Sequence, residues 1–161
     1  IDNAALLERL ISGSKLRVAL DVWEPEPNIN PELLEQVLLA TPHIAGYSRE
    51  GKVRGTEMLA EDYSQWSVKS AVVKTVNAER NSETVRGENL SQIILAAYDV
   101  ADDDRRMREA MGNLSSGSRA DSVAEVFDQL RKDYPQRHEF THFIAEVPGS
   151  LSSQTRLLGF A

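Results

Sequence analysis

The chain has 161 residues, 41% of them hydrophobic and 27% charged, with a formal net charge of -7. That acidic balance argues against non-specific nucleic-acid binding, which needs a basic face to displace counterions from phosphate. Cysteine is absent, which excludes disulfides and thiolate chemistry and leaves any zinc site to carboxylates and the three histidines.

The chain opens at Ile1 directly on "DNAALLERLISG", with Asp2 or Asn3 as N-cap, Leu6, Leu7, Leu10 and Ile11 at helical spacing and Gly13 as a stop. A helix with nothing before it reads as part of a longer protein. No apolar run is long enough to span a bilayer and the opening does not resemble a signal peptide, so a cytoplasmic location is expected. "LRVALDVW", Leu16 to Trp23, predicts a strand covered on both faces, as in a parallel sheet. "EPEPNINP" must be a loop. Asn30 then caps a helix with Pro31 in its first turn, and "ELLEQVLLA" supplies its apolar stripe before "TPHI" returns to an extended path. Helix, strand, loop, helix, strand is an α/β rhythm whose functional loops belong at the carboxyl ends of the strands.

From Ser48 a long helix is expected, with Val53, Met58, Leu59, Tyr63 and Trp66 near one face. Character changes near residue 70. "AVVKTVNAERNSETVRGE" predicts extended structure, followed by helices over Asn89–Val100, Asp103–Met111 and Asp121–Tyr134. The acidic junction Asp99, Asp102, Asp103 and Asp104 fits a solvated helix cap better than a metal site. "NLSSGSRADS" is a surface loop by composition, and "FTHFIAEV" alternates like a strand. A boundary near residue 70 would separate an α/β piece from a smaller α+β module.

Two constellations could carry chemistry. "HEFTH", His138 to His142, matches the string in which two histidines one helical turn apart hold zinc, but the aromatic and β-branched residues around it favour a strand. In a strand the two imidazoles share a face and lie too far apart for one metal, so no metal site is expected. The second constellation is Asp21, Glu26 and His43. A carboxylate beside an imidazole holds its tautomer and favours its protonated form, which improves it as a proton acceptor. Glu26 and His43 fall on successive loops at one sheet edge, with Glu24 able to play the same part, and a merely polar "EPEP" loop is the alternative.

At these residues the sequence resembles the carboxyl-terminal part of a D-isomer-specific 2-hydroxyacid dehydrogenase. The strings are "ALDVWEPEP" and "TPHIAGYS", separated by a leucine-rich helix, with "EGKVRG" opening the next one. Farther on, "LAAYDVADDDRRMREAM" and "FDQLRKDYPQRHEF" resemble an extra domain that serves dimerisation in one member of that family, which acts on a phosphorylated 2-hydroxy acid. The resemblance implies an α/β fold: the end of a Rossmann-type NAD-binding domain over residues 1–47, a connecting helix of the substrate domain over 48–70, and a small α+β dimerisation domain over 71–161.

It also implies His43 as the acid/base group, Glu26 as its paired carboxylate, Asp21 and Gly46 at the nicotinamide end of NAD, and Tyr47 against the substrate. A homodimer follows, with neither nucleic acid nor membrane as partner. Some relatives in the family are NAD-sensing binding proteins rather than enzymes. The family's G-x-G-x-x-G turn has no counterpart in this sequence, and its carboxylate-binding arginine precedes the segment matched here, so the 161-residue chain by itself is expected to be inactive.

Overall fold

A computed structural model describes residues 1–67, 83–115 and 122–161. The fold is mixed α/β and divides into two compact units, Ile1–Ala45 with Val100–Pro135, and Gly46–Asp99 with Gln136–Ala161. These physical units cross the division near residue 70, because two helices of the later segment join the first unit.

In the first unit, α1 (Asn3–Ile11) starts where the Asp2 side chain accepts from the Ala5 amide at 2.9 Å, and ends before Gly13, whose φ of 87° suits glycine. Leu6, Leu7 and Leu10 are buried, while Ile11 turns outward. β1 (Ala19–Leu20) pairs in parallel with β2 (Leu39–Ala40). The expected strand from Leu16 to Trp23 is thus shorter, and it is covered on one face only. Val18 and Leu20 pack on the hydrophobic cluster, whereas Arg17 and Ala19 are exposed.

α2 (Pro31–Gln36) has Asn30 as its cap, with the Asn30 side chain accepting from Glu32 N at 2.9 Å. It stops four residues before the end of its apolar stripe. The amides of Leu38 and Leu39 turn to the Val18 carbonyl, so strand pairing overrides helical propensity there.

α5 (Val100–Ser115) and α6 (Val123–Lys132) complete this unit and contribute Met107, Met111 and Phe127 to its core. The acidic junction is not simply a solvated cap. Asp104 accepts from the Ala40 amide at 2.8 Å and from Arg108 Nε at 3.0 Å, while Arg108 donates to the carbonyls of Leu34 and Val37 at 2.7 and 3.0 Å. One carboxylate satisfies a strand amide and one guanidinium satisfies carbonyls left over at the end of α2. Asp103 is buried and accepts from the Tyr134 hydroxyl at 2.8 Å.

α6 begins on a capping box in which Ser122 and Glu125 each accept from the other's backbone amide. Ser122→Ala removes one of these bonds and is expected to destabilise the first unit by about 1 kcal/mol. A urea titration followed by circular dichroism checks this, and an unchanged midpoint would show that the box contributes nothing.

The second unit contains α3 (Arg49–Ser67), β3 (Glu83–Arg86), α4 (Leu90–Ala97), β4 (Phe143–Glu146) and α7 (Ser152–Leu157). β3 and β4 pair in parallel over Glu83–Phe143 to Arg86–Glu146, around a core of Val85, Ile93, Phe143 and Phe160. α3 forms as expected, but its apolar face is uncovered among the described residues, Trp66 being 80% exposed. Helices Asn89–Val100 and Asp103–Met111 emerge as α4 and α5, broken at Tyr98 and Asp99. The expected extended stretch is seen as β3, and its earlier part lies outside the described residues, as does most of the "NLSSGSRADS" loop. "FTHFIAEV" is only half a strand. Phe140–His142 winds a 3-10 turn before β4 begins at Phe143.

Candidate active site

β1 ends at Leu20 and delivers Asp21 to the head of the proline-rich loop, and β2 ends at Ala40 and delivers the Thr41–Ala45 loop beside it. Asp21 binds that second loop at four points. Its Oδ1 accepts from the Thr41 hydroxyl at 2.7 Å and the Ile44 amide at 2.8 Å, its Oδ2 from the Ala45 amide at 3.1 Å, and its carbonyl from the His43 amide at 2.8 Å. Within this clamp His43 has φ of 55°, the left-handed region that a non-glycine residue occupies at a cost of about 1–2 kcal/mol. Fixed bonds on both sides of the residue sustain that conformation.

Glu26 meets His43. Its Oε2 lies 2.7 Å from Nδ1 of the imidazole, and its Oε1 accepts from the Trp23 amide at 2.6 Å. Trp23 is buried, with its indole N–H donating to the Thr41 carbonyl at 2.9 Å, so it links the two loops. The His43 side chain is 45% exposed and that of Glu26 only 19%. A neutral His43 with its proton on Nδ1 donates to Glu26 and presents the lone pair of Nε2 away from that bond, which is the form of a general base. Glu24 does not compete for this position, since it is exposed and its amide donates to the Asn3 side chain at 3.0 Å.

Asp21, Glu26 and His43 are therefore brought together. The carboxylate of Asp21 is spent on loop amides and a hydroxyl, a task that its sequence motif did not reveal. Trp23 and Thr41 are further members of the arrangement, and their only sequence signal was their place inside the two quoted strings. Gly46 and Tyr47 belong to the second unit. A Cβ added at Gly46 would meet nothing within 4 Å among the described residues, and the Tyr47 ring carries the Lys52 ammonium 4.3 Å from its centroid.

The second unit holds another imidazole–carboxylate pair. His138 Nδ1 lies 2.8 Å from Glu50 Oε1, and Glu50 Oε2 accepts from the Glu139 amide at 2.9 Å. Burial opposes the charge on Glu50, but the hydrogen bonds from His138 and Glu139 outweigh it and hold the carboxyl below its usual range. His138 and His142 are not spread along a strand. Their rings stack with centroids 3.8 Å apart and planes 16° apart, because the 3-10 turn folds the backbone between them. This corrects the separation expected from an extended "HEFTH".

Residues 68–159 match the model of the family described as "Domain of unknown function (DUF3410)", and the chain belongs to that family. The curated relatives it matches are named as dehydrogenases, a class of oxidoreductase. The particular name they print is erythronate-4-phosphate dehydrogenase. The protein of Proteus mirabilis is 40% identical over 88% of this chain and 37% of its own length. That of Klebsiella pneumoniae is 38% identical over 99% and 42%, and that of Marinobacter nauticus 39% identical over 99% and 44%. The chain thus spans about two fifths of the length of the curated relatives it matches. Among the described residues, no helix is long and apolar enough to cross a membrane.

Proposed function

We propose that this chain is the carboxyl-terminal part of an NAD-dependent dehydrogenase that oxidises 4-phospho-D-erythronate to (R)-3-hydroxy-2-oxo-4-phosphooxybutanoate, a step of pyridoxal 5'-phosphate biosynthesis. Residues 1–47 complete the Rossmann-type cofactor domain, 48–70 connect it to the substrate domain, and 71–161 make the homodimer of a cytoplasmic enzyme. The observation that carries the reading is the 2.7 Å contact between Glu26 and Nδ1 of His43, which leaves Nε2 available for a hydroxyl proton.

NAD is the cofactor of this reading, and the family resemblance is what assigns Asp21 and Gly46 to its nicotinamide end. Gly46 has no side chain to obstruct a flat ring, and Asp21 acts there through the His43 loop that its carboxylate holds. When bound, the nicotinamide ring supplies a two-electron acceptor for the hydride that leaves C2. His43 Nε2 removes the proton of the C2 hydroxyl, so the alcohol loses one hydride and one proton and becomes a ketone. Glu26 stabilises the imidazolium that results, and the Trp23 amide keeps Glu26 aimed at Nδ1. Tyr47 contacts the substrate.

An absorbance assay for NADH tests the reading with the full-length gene product and 4-phospho-D-erythronate. Steady turnover is expected, together with none from the 161-residue chain alone. NAD binding without turnover by the full-length protein would replace the enzyme with a sensor, and turnover by this chain alone would refute its description as an incomplete enzyme.

A further inference from the structure

We propose that Glu50, His138 and His142 form a binding site for a divalent metal ion of the zinc class. Each contributes one donor atom, and the three atoms all lie within 4.8 Å of one another. They come from the first turn of α3 and from both ends of the "HEFTH" segment, and the tertiary fold of the second unit gathers them.

An independent observation points to a missing ligand. The His142 side chain is only 8% exposed, yet its Nε2 atom is buried without a hydrogen-bond partner among the described residues. An orphaned buried nitrogen of this kind is costly, and a metal ion would satisfy it. A fourth oxygen lies at the rim, where Glu83 Oε1 is 4.0 Å from that nitrogen, too far for a hydrogen bond and within reach of a shared cation. Two imidazoles and one or two carboxylates suit zinc and its neighbours, whereas magnesium and calcium prefer oxygen alone.

The zinc-protease pattern suggested by the string does not apply. Glu139 offers its backbone amide to Glu50, and the acidic donor is Glu50, 88 residues before His138 in sequence. Tetrahedral zinc holds nitrogen and oxygen donors about 3.3 Å apart, so the cluster must contract, and the stacked rings must tilt until their lone pairs converge. His138 already has a positioning network, with Glu50 on Nδ1 and the Gln136 amide 3.0 Å from Nε2. Binding exchanges one of these hydrogen bonds for a metal bond. Occupancy would tie the start of α3, the start of β3 and the 3-10 turn to one another.

The test uses the 161-residue chain, stripped with chelator, dialysed, and titrated with zinc chloride by calorimetry. One zinc per chain is expected, with a rise in melting midpoint of about 5 °C at saturation. Glu50→Gln and His142→Ala should each weaken binding at least tenfold, and His43→Asn should leave it intact. Cobalt, used as a second probe, should give the visible absorption of a four-coordinate ion in the wild type and lose it in Glu50→Gln. Should His142→Ala fail to fold by circular dichroism, Glu50→Gln and His138→Asn decide. Zinc uptake equal in wild type, Glu50→Gln and His138→Asn would overturn the proposal, as would no uptake at all or a loss confined to His43→Asn.

Discussion

Under the proposed function, His43→Asn in the full-length protein is expected to lower kcat about 100- to 10,000-fold, the range lost when a positioned general base is removed. The KM for NAD should stay within about threefold, because the proton acceptor does not hold the cofactor. Asparagine is the informative replacement. His43 has φ of 55°, a conformation that asparagine tolerates better than alanine, so the loop is retained while the Nε2 base is lost. His43→Ala would mix lost chemistry with backbone strain. Steady-state kinetics measure both constants, and kcat within tenfold of wild type would remove His43 from the reaction.

Asp21→Ala is expected to destabilise the first unit by about 2–5 kcal/mol. Hydrogen bonds to a charged group contribute about 1.5–3 kcal/mol each, and several donors lose their acceptor together. The Thr41 hydroxyl and the amides of Ile44 and Ala45 all depend on that carboxylate, and Thr41 and Ile44 are buried. Urea unfolding followed by tryptophan fluorescence in a Trp66→Phe background reads this unit, since Trp23 lies in its core. Asp21→Asn tests position separately from charge. It keeps one acceptor oxygen but turns an amide group toward an N–H donor, so kcat should fall with a smaller loss of stability. A wild-type midpoint for Asp21→Ala would mean that the clamp on the His43 loop contributes little.

The elements visible in the sequence were those with local causes. Asp2, Asn30, Asn89 and Ser122 satisfy amides within their own first turns, so the starts of four helices follow from neighbouring residues alone. The pairing of Glu26 with His43 was legible for a related reason: each lies on the loop that follows a strand, and parallel strands bring such loops to one edge. The choice of Glu26 over Glu24 came from the family resemblance and not from the local pattern. The Trp23 amide, three residues before Glu26, holds that carboxylate within the loop, and the Asn3 side chain, 21 residues before Glu24, holds the Glu24 backbone through tertiary packing.

Local pattern failed where distant groups competed for the backbone. The apolar stripe of α2 continues past its last helical residue, but the Val18 carbonyl takes the next amides and the chain becomes β2. Asp104 looked like a solvated cap, because its partner, the amide of Ala40, is 64 residues away. "HEFTH" alternated like a strand, yet Phe140–His142 turned and its two rings stacked beside Glu50.

Composition, caps and loop motifs by themselves determined the mixed α/β class of fold, the acidic net charge and the meeting of the two loops that carry Glu26 and His43. Tertiary structure alone decided that Asp21 holds a left-handed histidine in place and that a buried nitrogen of His142 faces a carboxylate from another element. Hydrogen bonds between neighbours are written in the order of residues, whereas a buried polar group takes whichever distant partner the packed core leaves within reach.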